Sequence, residues 1–297
     1  GRVVTAKIPT SPYGRPSMFV IVFGAGFVGK PLCRLLENEG HHVVAVARHE
    51  AEGFSACDIT DCEALEGLQE ELGPADAMVH CASSGSGSAD RIARYRAVYP
   101  EGCRNIIRVF SPARLVFASS SSVYGQTDGA VVDESSCAEP LTETGRILLE
   151  AEELVLGYGG SVARLAGIYG PGRSYLLKRY LEGAARIDGD SPATEGRWIN
   201  QIHRQDAASA LAHLVGMSEH SGIYNVCDET PLRQRTCYDH FNHRFGLGIP
   251  EVLPPDRGRV RGWSNKRVSG ARLRAAGWRP RYASYFEALD HDPELLP

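Results

Sequence analysis

The sequence predicts an α/β protein built on a doubly wound parallel sheet. Three observations predict it. Short apolar runs of β-type residues recur along the chain, helical patterns separate them, and a glycine-rich turn closes the first run. Strands that are apolar throughout are buried on both faces, as in a parallel sheet with helices on either side. Right-handed crossovers between such strands give the doubly wound arrangement.

The elements follow in order. Phe19–Phe23 reads as the first strand and Phe27–Asn38 as a helix, with Gly40 as its stop. His42–Ala47 is a second apolar run, and a short run at Phe54–Cys57 precedes a helix beginning near Asp61. Ala75–His80 and Leu115–Ala118 are further strands, and Arg91–Phe110 between them is the longest helical pattern. Thr144–Leu156, rich in Leu and Glu, reads as a helix, and Ser161–Leu165 as the sixth strand. Gly170-Pro171-Gly172 marks a turn, Arg204–Met217 is helical, and Gly222–Val226 is strand-like. The last seventy residues, rich in Pro, Arg and Gly, predict a small C-terminal substrate-binding cap. The expected domains are a 1–17 extension, an 18–166 core and a 167–297 substrate region, with 198–226 returning to the core.

Composition narrows the function. The 297 residues carry a formal net charge of -4 with no long basic run, which argues against a nucleic-acid surface. No apolar stretch reaches the roughly 18–20 residues of a membrane helix, and Gly1–Ser17 has no apolar signal core. The eight cysteines form no C-x-x-C pair, so they are read as reduced residues of a cytoplasmic protein, with no metal site expected. His240 and His243 read as a solvated helix face.

The motif with the most chemistry is Gly24-x-Gly26-x-x-Gly29, between a strand and a helix. Gly24 permits the tight turn, Gly26 leaves room for a pyrophosphate, and Gly29 lets helix and strand pack closely. The helix N-terminus then offers N–H groups and partial positive charge to the phosphates. This is the Rossmann dinucleotide fingerprint. An acidic residue at the end of the second strand would bind the ribose of NAD. Here Ala47-Arg48-His49 stands there, so NADP is the expected cofactor through Arg48, with NAD the alternative. Arg48 as a solvated loop charge is the competing reading. Asp58 is placed to contact the adenine amine or to start the next helix.

Further motifs stand in a telling order. They are Ala77–Ala82 (AMVHCA), Val116–Gly125 (VFASSSSVYG), Arg164–Gly172 (RLAGIYGPG), Ile202–Asp206 (IHRQD) and Tyr224–Val226 (YNV). Together with the glycine loop, they make the chain resemble the extended or atypical short-chain dehydrogenase/reductases, the group of NAD(P)-dependent epimerases and dehydratases. The resemblance runs from about Met18 to Leu289. It implies that Gly24, Gly26, Phe27, Val28, Gly29, Arg48, Asp58, Ile59, Ala82, Ser83 and Leu165 contact the dinucleotide. It also implies a small-molecule substrate, of sugar type or another carbonyl or hydroxyl compound. Finally, it implies a homodimer through the Arg91–Phe110 and Thr144–Leu156 helices.

The family's chemistry uses a tyrosine, acidified by a lysine four residues on, and a serine or threonine that orients the substrate oxygen. In the matching register, the tyrosine position is Thr144, the lysine position is Leu148, and the usual asparagine position is Tyr99. Ser120 keeps the serine. An aliphatic hydroxyl cannot replace the phenol, because its pKa lies far above about 10. Ser120, Thr144 and Tyr124 remain the catalytic candidates. Tyr169, Glu143 and His203 are weighed beside them, each with a structural reading. Arg164, Arg197 and Arg204 suit a diphosphate, while Trp198 and Trp263 read as packing aromatics. Two functions follow. One is an NADP-dependent oxidoreductase or epimerase/dehydratase-like enzyme with a displaced acid/base group. The other is a non-catalytic NADP(H)-binding sensor or protein-interaction module.

Overall fold

The computed structural model describes residues 16–85, 90–219, 221–258 and 262–297. The expected 1–17 extension therefore falls, save for Pro16 and Ser17, outside the described residues, as do positions 86–88 of the Ser83–Ser88 loop.

Seven strands form the main sheet: β1 Phe19–Phe23, β2 His42–Ala47, β3 Ser55–Ala56, β4 Ala77–His80, β5 Leu115–Ser120, β6 Ser161–Leu165 and β7 Gly222–Val226. Their order is β3-β2-β1-β4-β5-β6-β7. The β2–β1, β1–β4, β4–β5 and β2–β3 pairs are parallel, with Val20 beside both Val43 and Ala77. The doubly wound α/β expectation holds, for the reason the apolar runs gave. Val20, Ile21 and Val22 are completely buried, as are Ala77, Met78 and Val79. Each large aliphatic side chain so buried contributes roughly 1.5–3 kcal/mol.

The chain divides into two compact units that interleave in sequence. The first comprises residues 1–118, 151–162 and 211–222, and the second residues 119–150, 163–210 and 223–297. In the first, helices α1 Gly29–Asn38 and α2 Cys62–Leu72 follow their strands. Gly40, with φ +89°, ends α1 as expected, its N–H bonding the Glu37 carbonyl. Asp61 caps α2 by accepting the Ala64 N–H at 3.0 Å. Asp58 is thus not the cap. It holds its own turn, accepting from the Thr60 N–H and hydroxyl.

Two expectations need correction. The helix placed from Phe27 begins at Gly29, because Val28 is the cap and the preceding residues form the phosphate-type turn. The single helix placed over Arg91–Phe110 is interrupted. Segments α3 Arg91–Arg96 and α4 Gly102–Phe110 flank a wide π-helical turn at Ala97–Glu101. Pro100 inside it has no N–H to donate, which removes a helical bond and favours the widened turn.

The second unit carries α5 from Glu143, α6 Tyr175–Leu181, α8 Gln234–Phe245, α9 Ala271–Ala275 and α10 Tyr285–His291, with α7 Arg204–Gly216 starting in it. A separate aromatic core, including Tyr180, Tyr238, Phe241 and Tyr285, holds the helices of the C-terminal cap together. Tyr285 packs edge-on against Tyr169 at 4.7 Å.

Candidate active site

In the first unit, the turn after β1 is shaped by contacts that only glycine allows. Gly24 has φ +115°, and a Cβ there would lie 2.6 Å from the Ala82 N. A Cβ on Gly29 would lie 1.7 Å from the Gly24 carbonyl oxygen. Gly26 differs, since a Cβ there would meet no atom of the described residues within 4 Å. Packing explains Gly24 and Gly29, but not Gly26. The space beside Gly26 is what an approaching phosphate group needs. The first turn of α1 has no side-chain cap and no acidic residue, so its positive end is not neutralised locally.

Arg48 is exposed just past β2, and its Nε donates to His49 Nε2 at 3.3 Å. Ile59 is buried, its carbonyl held by the Asn105 side-chain amide at 3.1 Å. Ala82 follows β4. Ser83 is exposed and accepts the Gly85 N–H at 3.0 Å.

Between these residues lies His80, which the sequence reading passed over. It is fully buried. Its Nδ1 accepts the Ala82 N–H at 3.3 Å, so the proton sits on Nε2, which donates to the Val98 carbonyl at 2.8 Å. The π-helical turn makes this bond available, because the Gly102 N–H bonds Tyr99 rather than Val98. Burial drives the His80 pKa down to about 4, against the small upward pull of the Val98 bond. A neutral imidazole thus ties the β4 end to the helix carrying Tyr99. The Tyr99 hydroxyl accepts the Ser84 N–H at 3.4 Å.

In the second unit, the expected serine and tyrosine lie in one turn. Ser120 Oγ accepts the Ser122 N–H at 3.1 Å, capping a short 3₁₀ turn at Ser121–Val123. Its hydroxyl hydrogen remains available to a ligand. Tyr124 is fully buried, and its hydroxyl donates to Asn225 Oδ1 at 2.8 Å. Arg164, also buried, stacks on the Tyr124 ring at 4.9 Å. Burial raises the Tyr124 pKa, with Arg164 and Asn225 opposing. This tyrosine is built to join turn and strand.

Thr144 lies half-buried in the first turn of α5, its Oγ1 3.1 Å from Thr142 Oγ1. Thr142 Oγ1 also accepts the Gly145 N–H at 3.2 Å, so Thr142 caps this helix. Leu148 is buried and Glu143 exposed. Leu165 is buried at the end of β6.

The other candidates are packed into the fold, though the buried Tyr169 hydroxyl has no hydrogen-bond partner among the described residues. His203 Nδ1 accepts the Gln205 N–H, and its Nε2 donates to Asp292 at 2.9 Å. Tyr169 is buried, which pushes its hydroxyl far above the ordinary phenol range. Trp198 lies against two guanidinium groups, Arg233 at 4.3 Å and Arg267 at 5.1 Å, as a packing aromatic would.

Two features were missed in the sequence. One is a cleft lined by Tyr175, Arg179, Arg186, Arg197, Tyr238 and Asp256, among others. At its floor, buried Asp188 pairs with Arg186 at 3.2 Å and Arg197 at 3.3 Å. Gln234 locks that carboxylate, donating to Asp188 Oδ2 at 2.9 Å and accepting the Asp188 and Arg197 N–H groups. The other is Lys266, a buried lysine. Its Nζ donates to the Tyr124 carbonyl at 2.6 Å and to Ser264 Oγ at 3.0 Å. Burial, with a smaller push from Arg197, lowers its pKa to about 7. Arg197 was singled out from the sequence but its clamp by Asp188 was not, and Lys266 was not legible because it sits in a stretch of arginines that reads as solvated.

Fold and loop together define an α/β protein of the short-chain dehydrogenase/reductase class. Residues 20–227 match the model of the NAD dependent epimerase/dehydratase family, and the chain belongs to that family. It is similar to YeeZ of Escherichia coli strain K12, with 27% identity over 272 residues, covering 86% of this chain and 92% of YeeZ. It is also similar to the dTDP-4-keto-6-deoxy-D-glucose reductase of Streptomyces niveus, with 28% identity over 283 residues, covering 92% and 88%. Among solved structures, the UDP-glucose 4-epimerase of Thermus thermophilus in complex with NAD superposes with a TM-score of 0.73. Its identity is 24%, over 89% of this chain and 94% of that one. No helix among the described residues is long and apolar enough to cross a membrane.

Proposed function

We propose that the chain binds NADP(H) at the Gly24–Gly29 turn and carries out oxidoreduction of the epimerase/dehydratase type on a sugar nucleotide. The observation carrying this reading is the open space beside Gly26, next to two glycines that packing makes obligatory. Gly24, Gly26, Phe27, Val28 and Gly29 would hold the pyrophosphate, and Ile59, Ala82 and Ser83 would line the adjoining strand ends. Asp58 would face the adenine, and Leu165 is carried over from the family pattern. When bound, the dinucleotide supplies hydride chemistry.

Arg48 supports the NADP preference, since its Nε donates to a neighbouring histidine rather than to a carboxylate. A guanidinium suits the 2′-phosphate by paired charge-assisted hydrogen bonds. The Asp188-clamped pair Arg186 and Arg197, beside Tyr175 and Tyr238, supports a substrate with a diphosphate and a stacking base. The Streptomyces niveus relative is, by its name, a reductase of a dTDP-linked keto sugar. Ser120, with an undirected hydroxyl hydrogen, is assigned to the substrate oxygen. Tyr124 is assigned to support, because its proton is committed to Asn225 in a fully buried place.

The non-catalytic sensor is the second reading. It is favoured by Leu148, an apolar buried residue at the family's lysine position.

Calorimetric titration with NADPH and NADH tests the cofactor. NADPH should bind more tightly, and Arg48→Ala should lose about 10- to 100-fold of that preference, the worth of a charged hydrogen bond of about 1.5–3 kcal/mol. Equal affinities in the wild type would reject the arginine's role. Turnover of dTDP-4-keto-6-deoxy-D-glucose with NADPH tests the activity. Tight cofactor binding without turnover of this or related keto sugars favours the sensor.

A further inference from the structure

The cleft that holds Tyr175, Arg197 and Tyr238 lies wholly within the second unit. It encloses about 230 Å³, far more than the roughly 10–15 Å³ that one water needs. Its charged side chains are the guanidiniums of Arg179, Arg186 and Arg197 and the carboxylates of Asp188 and Asp256, so positive charge is in excess. Asp256 is exposed and holds its own turn, accepting the Gly258 N–H at 3.1 Å. Arg179 donates to the Ala184 carbonyl and lies 5.8 Å over the Tyr175 ring. Asp188 differs from both. Its side chain is 3% exposed, while those of Arg186 and Arg197, which it holds, are 30% and 23% exposed.

Each oxygen of Asp188 takes a different guanidinium. Arg186 Nε lies 3.2 Å from Oδ1, and Arg197 Nε lies 3.3 Å from Oδ2. Gln234 fixes the plane of this carboxylate. Its Nε2 donates at 2.9 Å to Oδ2, the oxygen that Arg197 also takes. Its Oε1 accepts the Asp188 N–H at 2.8 Å and the Arg197 N–H at 3.1 Å. The amide cannot be turned over, because its oxygen would then face a carboxylate and its nitrogen two donors. Gly196 closes it in, since a Cβ there would lie 2.5 Å from Gln234 Oε1. One terminal nitrogen of Arg186 donates to the Pro254 carbonyl, and Nη1 has no partner among the described residues. The Oε1 contacts alone would tie the two backbone segments together. The Nε2 contact adds control of the carboxylate, and through it of two guanidiniums. An arginine held in advance gives up less rotamer freedom when a ligand arrives than one that must be caught.

We propose that Asp188 and Gln234 are positioning residues that hold Arg186 and Arg197 as a preset fork for the diphosphate of the substrate. This rests on the sugar-nucleotide reading above and adds how the anion is gripped. Asp188 acts against its own charge, since a carboxylate near an anion repels it. The order it imposes on the two guanidiniums outweighs that repulsion. Gln234 acts through Asp188, and the arginines are the groups that would touch the ligand.

The sign of one substitution separates positioning from plain charge. Asp188→Asn keeps the shape and removes a negative charge. On charge alone, dTDP and UDP should bind more tightly. With the fork disordered, calorimetry should show them binding about 10-fold or more weakly, the worth of a charged hydrogen bond. Gln234→Glu keeps an acceptor for the two backbone N–H groups and loses the donor to Asp188, so it should weaken both nucleotides. Relative to wild type, that loss should shrink as pH falls from about 8 to about 5, because a protonated glutamate donates again. A role confined to tying the backbone would give a loss independent of pH. Combining Asp188→Asn with Gln234→Glu should cost no more than Asp188→Asn alone, because Gln234 then has no carboxylate to orient. Arg186→Gln, by a similar loss, places the nucleotide in this cleft. Thermal unfolding checks that each variant is folded. Tighter or unchanged binding in Asp188→Asn, or losses that add in the double variant, overturns the proposal and leaves the sugar-nucleotide reading standing. Binding of neither nucleotide by the wild type rejects that reading for this cleft, and the fork with it.

Discussion

His80 makes the stability of this protein depend on pH in a way that can be isolated. Its folded pKa is lowered from 6.5 to about 4 by complete burial. Between those values the unfolded chain binds a proton that the folded chain refuses. The stability this neutral imidazole secures is therefore whole above the unfolded pKa, and it is lost as pH falls toward the folded one. At about 1.4 kcal/mol per unit, the full shift is worth roughly 3 kcal/mol. By about pH 4.5, roughly 2.5 kcal/mol of it is gone. His80→Gln keeps a donor for the Val98 carbonyl but does not titrate. Urea unfolding of both proteins at about pH 7 and about pH 4.5 gives the difference. With an m-value of about 3 kcal/mol per molar, the wild-type midpoint should fall by about 0.8 M more than that of the variant. Parallel losses in the two proteins would refute the assignment of His80 as the buried, neutral tie between β4 and the π-helical turn.

Other outcomes follow from the same geometry. Gly26→Val should leave unfolding within about 0.5 kcal/mol of wild type, since the new Cβ meets nothing, while weakening dinucleotide binding at least tenfold by calorimetry. Gly29→Ala should instead disrupt the turn itself, its Cβ overlapping the Gly24 carbonyl, and an unfolding curve like that of wild type would contradict so close an approach of α1 to the turn. Asp228 is buried, with one carboxyl oxygen lacking a partner among the described residues, and burial raises its pKa to about 8. A raised acid pKa means stability declines as pH rises from the unfolded value toward about 8. Asp228→Asn should therefore stabilise the protein at neutral pH by roughly 2–4 kcal/mol, and a lower thermal midpoint would argue against a neutralised carboxyl there.

Much of the framework was legible because its causes are local. The apolar runs became β1, β4 and β6, since burial on both faces selects those residues wherever the strand lies, and β2, of which only Val46 is fully buried. Gly24 and Gly29 announced the turn, and Asp61 and Gly40 the helix ends, because each acts within a few residues of itself. The interruption of Arg91–Phe110 was less legible. Pro100 signalled trouble within a helix, but the widened turn also depends on His80, 18 residues earlier, taking up the Val98 carbonyl.

The side chains around the Ser120 turn show where sequence stops. Tyr124 pairs with Asn225, 101 residues on, and is bonded by Lys266, 142 residues on. In sequence, Lys266 is one more basic residue in an arginine-rich segment. In the structure, it is a buried amine beside a pocket hydroxyl. The difference is desolvation, which depends on what surrounds the group and not on the group itself. The sequence alone determined the sheet, the glycine turn and the family pattern, because backbone geometry and apolar burial act over short spans. Only the tertiary structure decided which polar groups lost their water, and so which of them hold a charge, a proton or only the fold.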